Sequence, residues 1–362
     1  MSLATGSVKY ATRGPGMLYW VARALVRAAL KVTFRRIQVQ GLQLVPEQGP
    51  LLVVANHFNG AVDPALIGVS IRRPLRLTAK STLQNMPLLD AVFRAFGVIA
   101  IHRQKDQAEG ADPARNGVSL DAIVDGLCAG HALAFFPEGI SHDGPGLLRF
   151  KLGAAHVALT AAARQPDRPV WLLPCGIGYS AKHRLRGEAE LHFGAPIDAS
   201  AWRREHPTAS AGDLTALLRQ RVEGLLSQPL PATAAKRAWA RTAALPLGLP
   251  ALVCLGPALL ASAWATRRLS PDRHSDPSWQ VFSLAAFMPL SAAATLGSLW
   301  LANGWPTAVA AAVILPLAWP ALWLGLDGLR AAQPHVMSSH PVGAPPGARR
   351  RHTAESEHEP RP

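Results

Sequence analysis

The chain has 362 residues, a formal net charge of +14 and three cysteines, which is length enough for one catalytic domain with more left over. Its Arg and Lys are scattered, and no zinc knuckle, recognition helix or aromatic ribonucleoprotein pattern accompanies them, so no nucleic-acid partner is expected. Cys128, Cys175 and Cys254 lie far apart without CxxC spacing, which argues against a disulfide framework and a zinc site and makes a reducing, cytoplasmic-side location the default.

Residues 1–36 form an N-terminal region in which Leu18, Val21, Ala22, Leu25, Val26 and Ala29 recur at helical spacing from 17 to 36, with Arg23 and Arg27 one turn apart and Trp20 near the start. Two readings stay open: a helix lying in a membrane interface, or one packed on the domain's own core. The apolar stretch from Met17 to Leu30 is broken by Arg23 and Arg27 and has no cleavage region, so a signal peptide is not expected.

Residues 37–230 alternate short apolar runs with helical stretches, which predicts an α/β domain built on a single mostly buried sheet flanked by helices. The strand candidates are 51–56 (LLVVAN), 97–101 (GVIAI), 132–136 (ALAFF) and 170–178 (VWLLPCGIG). Helices are predicted after Asp63, from Asn116 to Ala129 and from Leu152 to Ala163.

Residues 231–330 read as a C-terminal helical membrane region, because the apolar segments at 243–265, 279–302 and 305–326 each approach the ~20 residues a bilayer crossing requires. Lys236, Arg237 and Arg241 precede the first segment and Arg267, Arg268 and Arg273 follow it, so the positive-inside rule places both of its ends in the cytoplasm. Pro246, Pro250 and Pro257 interrupt it, and a re-entrant or interfacial hairpin is predicted there, followed by two crossings joined at Asn303-Gly304. These basic residues, with Arg23, Arg27, Lys31, Arg35 and Arg36 at the other end, suit a surface facing anionic lipid. Residues 331–362, rich in Pro, Gly, Ser and Arg, are predicted to form a disordered tail.

Chemistry concentrates in three stretches. In Asn56-His57-Phe58-Asn59-Gly60-Ala61-Val62-Asp63-Pro64, His57 falls at the C-terminal end of a strand, a common place for catalysis in α/β sheets. On one helix His57 and Asp63 would diverge, but the Asn59-Gly60 turn allows them to meet. Asp63 would then orient the imidazole while its other nitrogen takes a proton from an alcohol. Asp63 followed by Pro64 is equally well explained as a helix N-cap. The second stretch, Gly97 to Arg103, ends in a cationic His102-Arg103 pair that could bind phosphate or merely sit at a solvated edge. The third, Phe135-Phe136-Pro137-Glu138-Gly139-Ile140-Ser141-His142-Asp143, is a strand entering a turn. Its consecutive Ser, His and Asp point apart and cannot form a hydrolase triad, and no GxSxG elbow occurs.

In this order, NHxNxxxDP, GxIxIxR, FPEGxS and a proline-bearing strand at Pro174 resemble the glycerolipid acyltransferase superfamily of glycerol-3-phosphate, dihydroxyacetone-phosphate and 1-acylglycerol-3-phosphate acyltransferases, over roughly residues 40–200. The resemblance implies His57 as general base and Asp63 as its orienting carboxylate. It associates Arg103, Glu138 and Gly139 with the acceptor's phosphate and Pro174 with the acyl-donor region, and it counts Lys80 among the substrate-binding residues. A negative Glu138 cannot attract phosphate itself, so its role there would be to organise cationic or amide donors. The commonest family pattern has four residues between His and Asp; here there are five, Phe58 to Val62, as in the branch of fungal-type glycerol-3-phosphate and dihydroxyacetone-phosphate enzymes.

The implied reaction uses acyl-CoA or an acyl carrier protein as donor, a glycerol phosphate or lysophospholipid as acceptor, and no metal or other cofactor. Membrane lipids are the implied surroundings, with the catalytic domain on the cytoplasmic side; the Ala and Arg richness suggests a bacterial cytoplasmic membrane. Two alternatives remain: an acyltransferase acting on another lysophospholipid, and a non-catalytic lipid-binding protein with this fold.

Overall fold

The computed structural model describes residues 16–80, 99–101, 113–144, 146–183, 185–227, 245–270 and 276–331. Arg103, the basic clusters at 236–241 and Arg273, and the tail beyond 331 lie outside them.

Helix α1 (Met17–Thr33) buries Tyr19, Arg23, Val26, Ala29 and Leu30, one stripe at three- and four-residue spacing. Met17, Leu18, Trp20 and Val21 on its first turns stay exposed. The helix expected to reach Arg36 stops at Thr33, and Phe34–Gln40 is strand β1. Phe34, Ile37 and Val39 are residue types that fit a pleated surface, and a strand edge is available to them. That edge belongs to β8 (Gly187–Phe193), a strand the sequence reading did not anticipate.

The remaining elements follow as β2 (Leu51–Ala55), α2 (Val62–Ser70), β3 (Leu75–Arg76), β4 (Thr78–Lys80), β5 (Ile99–Ile101), α3 (Pro113–Cys128), β6 (Ala132–Phe135), α4 (Gly153–Arg164), β7 (Trp171–Tyr179), β9 (Ile197–Asp198), α5 (Ala199–Glu205) and α6 (Ala211–Leu226). The main sheet runs β1-β8-β7-β2-β6-β3, with β9 beside β7, while β4 and β5 pair separately. Within it β7 opposes β8 and β9, and the other pairings are parallel. Strand β2 is thus central, and all five of its residues are buried, as a strand covered on both faces must be.

Strand alternation divides the core. Leu51, Val53 and Ala55 of β2, with Leu173, Cys175 and Ile177 of β7, pack under α1 and α2. Leu52, Val54 and Leu172 pack against α3, α4, α5 and α6. The first layer also takes Ala251 and Leu255 of α7 (Leu245–Leu269), Val281 and Leu284 of α8 (Asp276–Asn303), and Ala318 and Leu322 of α9 (Trp305–Ala331). The C-terminal helices therefore share a core with the catalytic layer, each fully buried aliphatic side chain contributing about 1.5–3 kcal/mol.

Two expectations are corrected here. The segment at 243–265 forms no hairpin: α7 runs unbroken through Pro250 and Pro257. Each interior proline forfeits one backbone bond, and the packing of Ala251 and Leu255 against α8 and α9 holds the helix together across them. Ser291 Oγ also donates to the Cys254 carbonyl, and Ser262 Oγ meets Ser283 Oγ at 2.7 Å. Second, Arg23 is not part of a lipid-facing surface, being buried against the domain, whereas Arg27 stays exposed on its outer side. Arg23 donates to the carbonyls of Val69 and Ile71 and Arg27 to that of Val69, so the two guanidiniums satisfy the exposed C-terminal end of α2. Arg35 is likewise engaged, 2.8 Å from Glu188.

Helix α8 turns into α9 at Gly304, whose φ of +80° suits glycine. Among the described residues, Pro277–Asn303 is a 27-residue apolar stretch long enough to cross a membrane, and only 6% of its most apolar window is buried.

Candidate active site

The site begins where β2 leaves the sheet. Ala55 is the last residue of β2 in register with β7, opposite Cys175. Asn56 then continues the pairing with its side chain: Nδ2 donates to the Ile177 carbonyl at 2.9 Å and Oδ1 accepts the Ile177 N–H at 2.7 Å. An amide side chain replaces the backbone amide in the ladder, so the backbone is released into the loop carrying His57 while its origin stays pinned to β7.

The loop closes through Asn59, whose carbonyl accepts the N–H groups of Val62 and Asp63 at 2.8 and 3.3 Å, and through Gly60, at φ +39°. This turn carries Asp63 back under the imidazole. His57 Nδ1 lies 3.0 Å from Asp63 Oδ2, and the Asn59 N–H donates to the same oxygen at 2.7 Å. Asp63 Oδ1 accepts the hydroxyl of Tyr179. Asp63 has no exposed surface and three donors around it, and because its oxygen accepts, the contact assigns a proton to His57 Nδ1. Nε2 is then the basic nitrogen. The Phe136 ring stacks on the imidazole at 4.3 Å between centroids. Asp63 is not the helix N-cap: α2 starts at Val62 behind Ala61, with no side-chain cap, because the carboxylate is turned toward His57 and Tyr179.

The Phe136-to-Asp143 turn packs beside this loop. Glu138, 3% exposed, accepts the His57 backbone N–H at 3.3 Å through Oε1 and pairs through Oε2 with His142 Nε2. The Gly144 N–H donates to His142 Nδ1 at 3.1 Å, so Nε2 carries the proton given to Glu138. The His142 N–H donates to the His57 carbonyl at 3.1 Å, completing a reciprocal stitch between the two loops. Burial pushes the Glu138 carboxyl above its ordinary range, and His142 and the His57 amide pull it back down. Lys182 adds a third tie, donating to the carbonyls of Phe58 and His142 at 2.6 and 2.9 Å and pairing with Asp143.

Gly139 makes the turn, at φ +77°, and its N–H is used by the Phe136 carbonyl at 3.1 Å. A side chain there would meet Lys151 Nζ at 2.6 Å, so a cation lies against the turn. The site also touches the C-terminal helices: Ser278 Oγ of α8 accepts the Ala61 N–H at 2.9 Å.

The structure brings His57, Asp63, Glu138 and Gly139 together. Lys80 ends β4, in register with Ile101 of β5, while Arg103 falls outside the described residues. Pro174 does not join the cluster. It is opposite Val54 in β7 and, one residue out of phase with Leu173 and Cys175, turns to the other face of the sheet. There it lines a cavity of about 530 Å³ with Gly194, Leu217, Arg221 and Leu225. The sequence reading missed Tyr179, Asn56 as a pairing side chain, His142 as the partner of Glu138, and Lys182. Only Asn56 and His142 carried a signal, as neighbours within the motifs.

Residues 36–178 match the Acyltransferase family model, a span that contains His57, Asp63 and Glu138 and ends one residue before Tyr179. Residues 36–178 thus carry an acyltransferase domain, similar to those of the glycerolipid acyltransferase superfamily. An uncharacterized acyltransferase of Schizosaccharomyces pombe is 28% identical over 45% of this chain and 36% of its own length. Glycerol-3-phosphate O-acyltransferase 1 of Saccharomyces cerevisiae is 26% identical over 50% of this chain and 35% of its own. Lyso-ornithine lipid O-acyltransferase of Rhizobium meliloti is 25% identical over 46% of this chain and 53% of its own. The acyltransferase-bearing chain thus spans about a third of the length of the two yeast relatives, 36% and 35%.

Proposed function

We propose that this acyltransferase moves a fatty acyl group from acyl-CoA or an acyl carrier protein onto a hydroxyl of glycerol 3-phosphate or 1-acylglycerol 3-phosphate, at a membrane surface. The observation that carries the reading is the His57–Asp63 pair, 3.0 Å apart within the family motif. With Nδ1–H held by Asp63, Nε2 takes the proton of the acceptor hydroxyl as that oxygen attacks the thioester carbonyl. Collapse of the tetrahedral intermediate expels the thiolate, which takes the proton from His57. A thiolate leaves readily, so base catalysis and positioning suffice.

Glu138 acts in this scheme by holding the His57 backbone and His142, and Gly139 by making the turn. Lys80, Arg103 and Lys151 are the cations proposed to meet the acceptor's phosphate. The contact between α8 and the catalytic loop favours a site opening at the bilayer surface, where the acyl chain stays in an apolar phase while the phosphate stays wet. The similarity to lyso-ornithine lipid O-acyltransferase favours a second reading, in which the acceptor is another lysolipid.

Purified protein in lipid vesicles, given radiolabelled acyl-CoA, separates these readings through its acceptor. Label transferred to glycerol 3-phosphate or 1-acylglycerol 3-phosphate supports the first. Label found only on a lyso-ornithine lipid supports the second. No transfer to any acceptor, with an acyl carrier donor also tried, contradicts both.

A further inference from the structure

We propose that Tyr179 is a positioning residue of this site, setting the plane of the Asp63 carboxylate so that its other oxygen is aimed at the His57 ring. The inference rests on the acyltransferase reading above and concerns how its base is held. Asp63 Oδ2 receives both the His57 Nδ1–H and the Asn59 amide, at 3.0 and 2.7 Å. Two donors on a single oxygen leave the opposite oxygen to swing, because the terminal torsion of an aspartate is broad. The Tyr179 hydroxyl holds that opposite oxygen. It comes from the end of β7, 116 residues away, and the strand fixes where it sits. The Phe34 ring lies against the Tyr179 ring, 5.8 Å between centroids.

Burial and the neighbouring Asp63 push the phenol well above its ordinary range, so it remains a donor throughout the working pH range. The titratable groups around the carboxylate are His57, Tyr179 and Cys175, whose thiol burial also holds protonated. Beyond His57 stand Glu138 and, paired with it, His142. None of these except Tyr179 reaches Asp63 Oδ1 through a hydrogen bond among the described residues.

The sign of the effect follows from the donor. A hydroxyl bonded to Asp63 draws off part of its charge and weakens its hold on a protonated imidazole. Without that hydroxyl the His57 and Asn59 donors still hold Oδ2, so the freed carboxylate plane lowers kcat while the charge returned to the carboxylate holds the imidazolium more tightly, and the acidic limb of the kcat/KM profile moves to higher pH. Tyr179→Phe keeps the ring and removes only the oxygen. Its expected result is a kcat lower by about tenfold, a modest part of the 10²–10⁴ that a general base supplies, an acceptor KM within about twofold of wild type, and the shifted limb.

The test measures wild type, His57→Ala and Tyr179→Phe side by side from pH 5 to 9, with melting curves for each. Wild-type inactivity would sink the acyltransferase reading. An active wild type with a kcat and limb unchanged in Tyr179→Phe overturns only this inference, as does a lower kcat with an unmoved limb. Should Tyr179→Phe fail to fold, 3-fluorotyrosine placed at 179 gives a more acidic, stronger donor. The limb must then move to lower pH; an unmoved limb overturns the inference.

Discussion

Asn56→Ala tests the most specific structural device of the site. Asn56 has no exposed surface, and its side chain satisfies both the N–H and the carbonyl of Ile177, at 2.7 and 2.9 Å. Alanine leaves both buried groups without that partner, at about 1–3 kcal/mol each, so the loss is about 2–6 kcal/mol. For a domain of this size each kcal/mol lowers the melting temperature by about 2–4 °C, which makes the expected drop roughly 5–20 °C. The change also unpins the first residue of the catalytic loop, and a displacement near 1 Å at His57 costs about a hundredfold in turnover. Circular dichroism melts and initial rates, both in lipid nanodiscs, read the two effects. Ser70→Ala, which removes a hydroxyl bonded to the Leu66 carbonyl inside one helix, is the control and should cost under about 1 kcal/mol. A melting temperature within 2 °C of wild type, together with more than half the wild-type rate, would refute the reasoning.

Two further changes probe the loop and its neighbours. Gly60→Ala imposes a left-handed residue with a side chain at φ +39°, costing about 1–2 kcal/mol, and its Cβ would stand 2.7 Å from Ser278 Oγ. Adding Ser278→Gly should recover part of the lost stability and rate, and strictly additive effects of the two substitutions would contradict a contact between α8 and the catalytic loop. Glu138→Gln addresses pH. Because burial raises the Glu138 pKa in the folded state, the folded protein binds that proton more tightly than the unfolded chain does. The contribution of Glu138 to stability therefore falls as pH rises from the ordinary carboxylate value of about 4.3 toward the raised one. Melting temperatures from pH 4 to 7 should fall less steeply, or rise more, in Glu138→Gln than in wild type; parallel curves would contradict the assignment.

What could be read in the sequence was what local pattern encodes. Leu51 to Ala55 is apolar throughout, as a strand buried on both faces has to be, and His57, Asp63, Glu138 and Gly139 lie in motifs whose order is informative. β8 escaped notice because Glu188, Glu190 and His192 interrupt its apolar residues, yet Glu188 pairs with Arg35 and Glu190 with His192 at 2.9 Å. Polar strand positions were paid for by partners that no local window contains.

The same limit explains Tyr179, which reaches Asp63 from a strand 116 residues away, and Arg23 and Arg27, whose acceptors are carbonyls on another helix. Helical spacing shows that a charge sits beside an apolar stripe but not what it bonds. The prolines of α7 misled for a related reason, since their local cost is outweighed by tertiary packing. Pro174 was placed with the donor region through the resemblance, whereas strand alternation turns it to the opposite face of the sheet from Asp63.

The central claim is that His57 is the base for acyl transfer to a hydroxyl. It is tested most directly by single-turnover transfer from radiolabelled acyl-CoA by wild type and His57→Ala in the same vesicles, after matched melting curves show both folded. A rate lower by about 10²–10⁴ in the variant, with donor binding retained, is the result the account predicts. A folded His57→Ala protein that transfers label within a few-fold of the wild-type rate would contradict it.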